Sequence, residues 1–400
     1  MHIALIHQYH HNPDCPATCR HYTFMAELAK RHQITLITSN AWESKRLTNF
    51  FDWVPPGVEL VSIDVPYHNK MGILQRVQAF SRFALQAVHL GRRIKKPDLI
   101  WGVSTPLTAA WAAAKVAKYH RVPFVFEVQD LWPAFPVQMG AVPFKPLQRQ
   151  LYRLEKSLYR QASHIIPLSP DMEKYIVEKG ISPANITTLV NGTEIPVAPL
   201  EENEKNALLA ELGLAGKQVV LYAGTYGRAN DIPMLIEAAR SLQDQTSLCF
   251  VFTGQGFDEP LLQKAAADQS NIVLLPPQPR HEVFKLFSIA TVSIVSFIDL
   301  PVLKANSPGK FFDSMAVGTP VVVTNAGWTK QLVEERNCGW YSPAGDAAAL
   351  ASSLVQKLKN EPELANMREN ASKVAQEQFD RVQMVAELEQ IFLDVIKSKT

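Results

Sequence analysis

The sequence predicts an α/β protein built from two doubly wound, parallel-sheet domains. Three observations carry this. The chain has 400 residues, more than one compact core usually holds. It opens as strand, loop, helix, strand, and the same plan recurs about two hundred residues later. Short β-rich runs then alternate with helical stretches in both halves, the pattern of parallel strands joined by crossover helices.

The first half begins with a strand ("IALIH"), a loop ("QYHHNPDCPAT"), a helix ("CRHYTFMAELAKRH") and a strand ("QITLITS"), and continues through "PDLIWGVS", "PFVFEVQD" and "ASHIIPLS". The second half begins with "QVVLYAG", "TYGRAND", "IPMLIEAARSL" and "SLCFVFTG", and continues through "NIVLLPP", "ATVSIVSF" and "TPVVVTNAG". Between them "NGTEIPVAPLEENEKN", from Asn191, is rich in Pro and Glu and reads as a linker that lets the halves hinge. The tail after about residue 348 is helical throughout. The expected domains are 1–193, 194–378, and a terminal helix over 379–400 that crosses back to the first domain. Open parallel sheets bind ligands at the carboxyl ends of their strands, so two facing sheets would hold the site between them.

Hydrophobic residues make up 47%, and 40 Lys and Arg against 38 Asp and Glu give a formal charge of +2. That balance offers no electrostatic footprint for nucleic acid. Four cysteines do not make a disulfide framework. Cys15 and Cys19 lie near His10, His11 and His21, but C-x3-C without a second cysteine pair is a weak zinc signal. No apolar run reaches the roughly 18 residues of a spanning helix. Met1 leads directly into a strand, so no signal peptide is expected and the default compartment is the cytoplasm.

The most informative stretch is "NSPGKFFDSMAVGTPVVVTNAG", residues 306–327. Ser307 is placed to cap a helix and Pro308 to occupy its first position. Phe311 and Met315, and Phe312 and Ala316, form an apolar stripe. Gly318 stops the helix, and Val321–Val323 read as a strand buried on both faces. Lys310 and Asp313 then share one helix face near the N-terminus, where backbone N–H groups and the helix dipole favour an anion. A phosphate suits Ser307, Gly309 and Lys310, with Asp313 accepting from sugar hydroxyls beyond it. The competing reading is a capped helix with a solvated Lys–Asp pair.

Two further strand ends in this half, "AGTYGRAN" with Gly224, Gly227 and Arg228, and "TGQG" with Gly254 and Gly256, suit close approach to phosphate. In the first half, "FEVQDLWP" puts Glu127 and Asp130 at a strand end. A buried carboxylate there suits an acceptor hydroxyl's proton. The alternatives are a turn cap for Asp130 and a structural salt bridge for Glu127, which lies alone on an apolar strand. Arg20 and His21 open the first helix, in reach of phosphate or acceptor, against the reading of His21 as a surface histidine. Residues 71–96 form a basic amphipathic helix, which fits equally a helix packed on its own sheet and one resting on an anionic membrane.

"SPGKFFDSMAVGTPVVVTNAG", "YAGTYGRANDIPMLIEAA" and "FEVQDLWPAFPVQMGAV" together resemble the GT4 family of glycosyltransferases, in its WbuB-like branch. The resemblance runs over nearly the whole chain. It implies a GT-B fold with the acceptor on the first domain and a nucleotide-sugar on the second, and transfer with retention of anomeric configuration. The chain departs from the family at several places. Of two glutamates commonly eight positions apart, the second place holds Asp313 and the first Ala305. Where many members carry Arg and Lys after the first strand of the second domain, this chain has Thr225 and Asp231. Phosphate charge is then left to Arg228 and Lys310. A histidine common near "FEVQD" is Gln129, and "NPDCPATCR" replaces a glycine-rich loop.

The expected donor contacts are therefore Gly224, Thr225, Arg228, Gly254, Ser307, Gly309, Lys310 and Asp313. Asp130 and Glu127 are the catalytic candidates, and Arg20 and His21 the acceptor or phosphate contacts. No D-x-D occurs, so the leaving diphosphate is expected to need no obligatory metal and no cofactor. The expected activity is transfer of a sugar from a UDP- or GDP-linked donor to an acceptor hydroxyl, soluble or on a lipid-linked saccharide. An NDP-sugar epimerase of the same architecture, or a nucleotide-sugar-binding protein without turnover, are the alternatives.

Overall fold

A computed structural model describes residues 1–10, 20–40, 54–67 and 71–398. The chain divides into two compact units. One holds the residues up to Val190 together with those from Arg381 onward, and the other runs over Asn191–Asp380. The cysteine-bearing segment of the possible zinc cluster, and the loop replacing the glycine-rich one, lie outside the described residues. No helix among the described residues is long and apolar enough to cross a membrane.

The first unit carries strands β1 (His2–Ile6), β2 (Gln33–Ser39), β3 (Val58–Ile63), β4 (Leu99–Ser104), β5 (Phe124–Val128) and β6 (His164–Pro167). They form one sheet in the order β3-β2-β1-β4-β5-β6, parallel throughout. Its helices are α1 (Arg20–Leu28), α2 (Ile73–Gly91), α3 (Leu107–His120), α4 (Ala134–Gln138), α5 (Lys145–Gln161) and α6 (Pro170–Glu178), joined at the end of the chain by α15 (Arg381–Lys397). Leu388, Phe392 and Val395 of α15 share a core with Ile3, Leu5 and Trp101, so burial of this apolar stripe holds the last helix in the first unit. Helix α2 does pack inward, through Ala79, Phe83, Ala84 and Ala87. At Gly91 a Cβ would fall 2.7 Å from Val116, so only glycine lets α2 approach α3 this closely. The opposite face of α2 leaves Ile73, Leu74, Val77 and Leu85 exposed.

The second unit repeats the plan. Its strands are β7 (Gln218–Ala223), β8 (Leu248–Thr253), β9 (Ile272–Leu275), β10 (Val292–Val295), β11 (Val321–Val323) and β12 (Gly339–Tyr341), in the order β12-β11-β10-β7-β8-β9. Its helices are α7 (Glu202–Glu211), α8 (Ile232–Ser241), α9 (Glu259–Asp268), α10 (Arg280–Ile289), α11 (Gly309–Ala316), α12 (Trp328–Glu335), α13 (Ala347–Lys357) and α14 (Glu361–Gln378). In each sheet the order reverses beside its first strand, between β1 and β4 and between β7 and β10. Such a switch point opens a crevice at the carboxyl ends of the strands.

The linker expected from Asn191 differs from what is found. Thr193 is fully buried, its N–H donates to the Phe379 carbonyl at 2.8 Å, and "ENEKNALLAE" is helix α7. Buried hydrogen bonds fix the beginning of this segment, and the polarity that suggested a linker is that of an exposed helix. Ser307 does not cap α11 either. Pro308 is the N-cap, and the Ser307 hydroxyl instead accepts from the Asn191 N–H at 3.2 Å. Gly318 ends the helix as expected, with φ +75°, where its N–H reaches the Met315 carbonyl.

Candidate functional site

In the second unit the switch point is built by the ends of β7 and β10 and by the start of α11. Phe311, Phe312 and Met315 of α11 are fully buried, which fixes how its first turn is presented. The Lys310 side chain lies across the end of β7. A Cβ on Gly224 would come within 3.1–3.2 Å of the Lys310 Cε and Nζ atoms, and Nζ sits 3.7 Å from the centroid of the Tyr222 ring. This ammonium is shielded from solvent and finds no hydrogen-bond partner among the described residues. Burial lowers its pKa to about 7. A buried ammonium held only by a ring face is short of counter-charge, so an anion at this place would satisfy it.

The glycines here are required by close approach. Gly254 has φ +147°, and a Cβ on it would fall 1.8 Å from the Gly224 carbonyl oxygen. Both loops therefore meet backbone to backbone at the strand ends. Thr225 is exposed, and its carbonyl accepts from the Tyr222 hydroxyl at 2.7 Å. Arg228 is exposed and lies 4.0 Å over the Phe257 ring, so it offers a second positive charge at the rim, beside the β7 loop.

Asp313, one turn along α11, is not a free partner of Lys310. Its Oδ1 accepts from the Thr193 hydroxyl at 2.6 Å and from Arg280 Nη2 at 2.7 Å. Arg280 also binds Glu194 through Nη1 and Thr193 through Nη2 at 3.2 Å. The competing reading of a solvated Lys–Asp pair is not what is found, because Asp313 belongs to a half-buried ionic cluster. Thr193, Glu194, Arg280 and Tyr222 were not singled out from sequence. Arg280 did leave a signal there. A cation at the first position of a helix opposes the macrodipole, so it calls for an acidic partner.

In the first unit the residues at the end of β5 sort into two groups. Glu127 is fully buried, with Arg20 Nε at 3.6 Å and His21 Nε2 at 3.0 Å. Trp101 Nε1 donates to it at 3.2 Å. Burial alone would raise its pKa, but Arg20, His21 and these hydrogen bonds outweigh that and hold it at about 2. An ion pair this deep and this acidic makes a poor base, so the catalytic expectation for Glu127 gives way to the salt bridge. The expectation that Arg20 and His21 reach phosphate or acceptor is likewise corrected. Both are buried, and Arg20 Nη1 donates to the Leu189 and Val190 carbonyls at 3.2 and 3.0 Å. Asp130 differs. Its only hydrogen bond to a side chain among those described comes from the Thr105 hydroxyl at 3.0 Å, and burial raises its pKa. That is the environment of a carboxylate able to take a proton.

No group of three or more His, Cys, Asp and Glu among the described residues is arranged to hold a metal ion.

Two family models match the chain: the glycosyl transferase 4-like domain over residues 20–192 and glycosyl transferases group 1 over residues 204–374. Among curated relatives, the probable glycosyltransferase WbjE of Pseudomonas aeruginosa is 24% identical over 74% of this chain and 76% of its own length. The putative colanic acid biosynthesis glycosyl transferase WcaI of Escherichia coli is 26% identical over 65% of this chain and 66% of its own. Among solved structures, HepE of Anabaena in complex with UDP-glucose shares the fold with a TM-score of 0.71. It is 19% identical, covering 98% of this chain and 100% of its own.

Proposed function

Since the chain belongs to the glycosyltransferases, with a 4-like first domain and a group 1 second domain of GT-B fold, we propose that it moves a sugar from a nucleoside-diphosphate donor to an acceptor hydroxyl, with retention at the anomeric carbon. The observation that carries the donor assignment is Lys310, a buried ammonium with no hydrogen-bond partner among the described residues, at the switch point of the second unit. The donor's diphosphate pairs with Lys310, with Arg228 at the rim and with the N-terminus of α11. These groups stabilise the negative charge that grows on the leaving phosphate as the glycosidic bond breaks, which is where binding lowers the barrier. In this reading no metal is obligatory. Asp313 accepts from the ribose, and Asp130, or the leaving phosphate itself, takes the acceptor's proton. HepE has been crystallised with UDP-glucose, and WcaI is named for colanic acid biosynthesis. The first favours a UDP-linked sugar, and the second an acceptor in polysaccharide biosynthesis. Family membership favours transfer over epimerisation or binding without turnover.

The acceptor side has a corresponding surface. Between residues 65 and 154 the chain carries thirteen Lys and Arg against three acids, Asp98, Glu127 and Asp130, and Glu127 is buried. In this region α2 exposes Ile73, Leu74 and Val77, and Phe144 and Leu147 are exposed at the start of α5. We infer peripheral contact with an anionic membrane on the cytoplasmic side through residues 71–96, which would bring a lipid-linked acceptor to the first unit.

The test of the donor reading is calorimetric titration of UDP and GDP into the wild type and Lys310→Met. Loss of one charge-assisted bond weakens binding about ten- to a hundredfold. Equal affinity in both proteins would refute the assignment.

A further inference from the structure

The cluster around Asp313 is asymmetric. Both the Thr193 hydroxyl and Arg280 Nη2 converge on Oδ1. Oδ2 takes no hydrogen bond from the described residues and is not among the buried, unpartnered atoms. One carboxylate oxygen is therefore clamped and the other is left open. The clamp is also anchored from outside α11. Arg280 stands at the first position of α10 and pairs through its other nitrogen with Glu194. Thr193 is fully buried, and its backbone is held by the Phe379 carbonyl. A short aspartate side chain with one oxygen fixed by two donors has its remaining lone pairs aimed in one direction.

We propose that Thr193 and Arg280 are positioning residues that set the site's selectivity for a ribonucleotide, by presenting Asp313 Oδ2 to the ribose 2′-hydroxyl. This rests on the reading that Asp313 faces the ribose. Paired with the Arg280 guanidinium, the carboxylate offers Oδ2 as the acceptor of a charge-assisted hydrogen bond. A deoxyribose leaves that oxygen dry and unpaired, which is how a polar site rejects an analogue that lacks a hydroxyl. Arg280 acts through Asp313 and need not touch the ligand. A direct contact of Arg280 with phosphate predicts a different signature, an equal loss for both sugars.

The experiment compares UDP with 2′-deoxy-UDP, and GDP with 2′-deoxy-GDP, by calorimetry on the full chain. The wild type is expected to prefer the ribonucleotide about tenfold or more. Thr193→Val keeps the side chain's shape and removes its hydroxyl, and Arg280→Lys keeps the charge and removes the fork. Each should bring the ratio to within about threefold, through weaker ribonucleotide binding, while Thr193→Ser restores it. Thermal melting of each variant checks that the fold is retained. A wild-type ratio near one overturns the placement of Asp313 at the ribose and the clamp with it. A wild-type preference that persists in both Thr193→Val and Arg280→Lys leaves Asp313 in place and overturns the clamp alone. An equal loss for both sugars in Arg280→Lys, with the ratio unchanged, also overturns it and assigns Arg280 to the diphosphate.

Discussion

Raising the pH should detach the diphosphate from this protein, and Lys310 sets by how much. Its Nζ is shielded and rests on the Tyr222 ring at 3.7 Å, and burial lowers its pKa to about 7. A bound diphosphate supplies the missing counter-charge and returns the group to its charged form. At pH 8 about nine tenths of ligand-free molecules carry a neutral Lys310, so binding must draw in nearly one proton. Above pH 7 the dissociation constant should then rise roughly tenfold per unit, about fiftyfold between pH 7 and pH 9. The ligand itself is unchanged over most of this range, because a phosphate's last proton leaves near pH 6. Calorimetry of UDP or GDP at pH 8, in two buffers of different ionisation enthalpy, reads the uptake directly. The wild type should take up about 0.9 proton and Lys310→Met none. An affinity flat between pH 7.5 and 9, or equal uptake by both proteins, would refute the reasoning.

The same lysine makes a claim about stability without ligand. Its folded pKa lies below its unfolded value of about 10.4, so the unfolded chain binds the extra proton between these limits. The penalty is therefore fully present below pH 7 and is relieved as pH rises toward 10. Attraction to the Tyr222 ring offsets part of it, by about 1–2 kcal/mol. Lys310→Met should accordingly stabilise the ligand-free protein at pH 6–7 by about 1 kcal/mol or more, while weakening the diphosphate. A variant destabilised at pH 6 would count against a lysine that is buried and unpaired.

The remaining predictions concern the other groups. Asp130→Asn should cut turnover about a hundredfold or more with donor affinity unchanged, and wild-type turnover should fall as pH drops through the raised pKa of Asp130; normal turnover in the variant would move the proton to the leaving phosphate. Glu127→Gln leaves Arg20 and His21 buried beside a neutral group and should cost about 3 kcal/mol in chemical denaturation. Because the folded pKa of Glu127 is depressed to about 2, its contribution is present above its unfolded value and is lost as pH falls from about 5 towards 2, so the variant should lose that part of the acid limb. Gly254→Ala should cost about 1–3 kcal/mol in backbone strain and also weaken UDP or GDP, because its Cβ would displace the Gly224 carbonyl; unchanged affinity would separate that loop from the site. Anionic vesicles should sediment the wild type and release it in high salt, and Ile73→Asp with Leu74→Asp should abolish this without altering the fold; equal sedimentation of both proteins would remove the membrane contact.

What could be read from sequence followed burial. Of the twelve strands among the described residues, ten were evident as β-rich runs, because a strand covered on both faces must be apolar along its length. The two not seen, β3 and β12, stand at the edges of their sheets. There β3 is partly exposed and carries Glu59, and β12 has only three residues. The first turn of α11 was legible for a different reason. Glycine, proline and lysine in "NSPGK" impose a turn, a helix start and a charge whatever surrounds them. Its cap was not, since Ser307 had two candidate donors and only the fold shows that the Asn191 N–H takes it.

The ionic partners divide along the same physical line. A charge on an apolar strand announces that it needs a partner but does not name it. Glu127 is of this kind, and its partners Arg20 and His21 come from a helix more than one hundred residues earlier. Sequence reading placed all three near a ligand, because each looked unpaired along the chain. Arg280 and Asp313 are separated by 33 positions and meet only because α10 and α11 flank β10 in one sheet order. Thr193 reaches the same carboxylate from 120 positions away, out of a stretch whose polarity suggested a loose connection. Lys310 is the contrary case. Its competing reading in sequence was a solvated pair with Asp313, and the fold turns the two apart, one to a ring face and the other to an arginine. Pairing removes Glu127, Arg20 and His21 from the set of groups available to a ligand and leaves Lys310 in it. Lys310, where the sequence already suits a phosphate, keeps an ammonium without a hydrogen-bond partner among the described residues, and Asp313 keeps one carboxylate oxygen open.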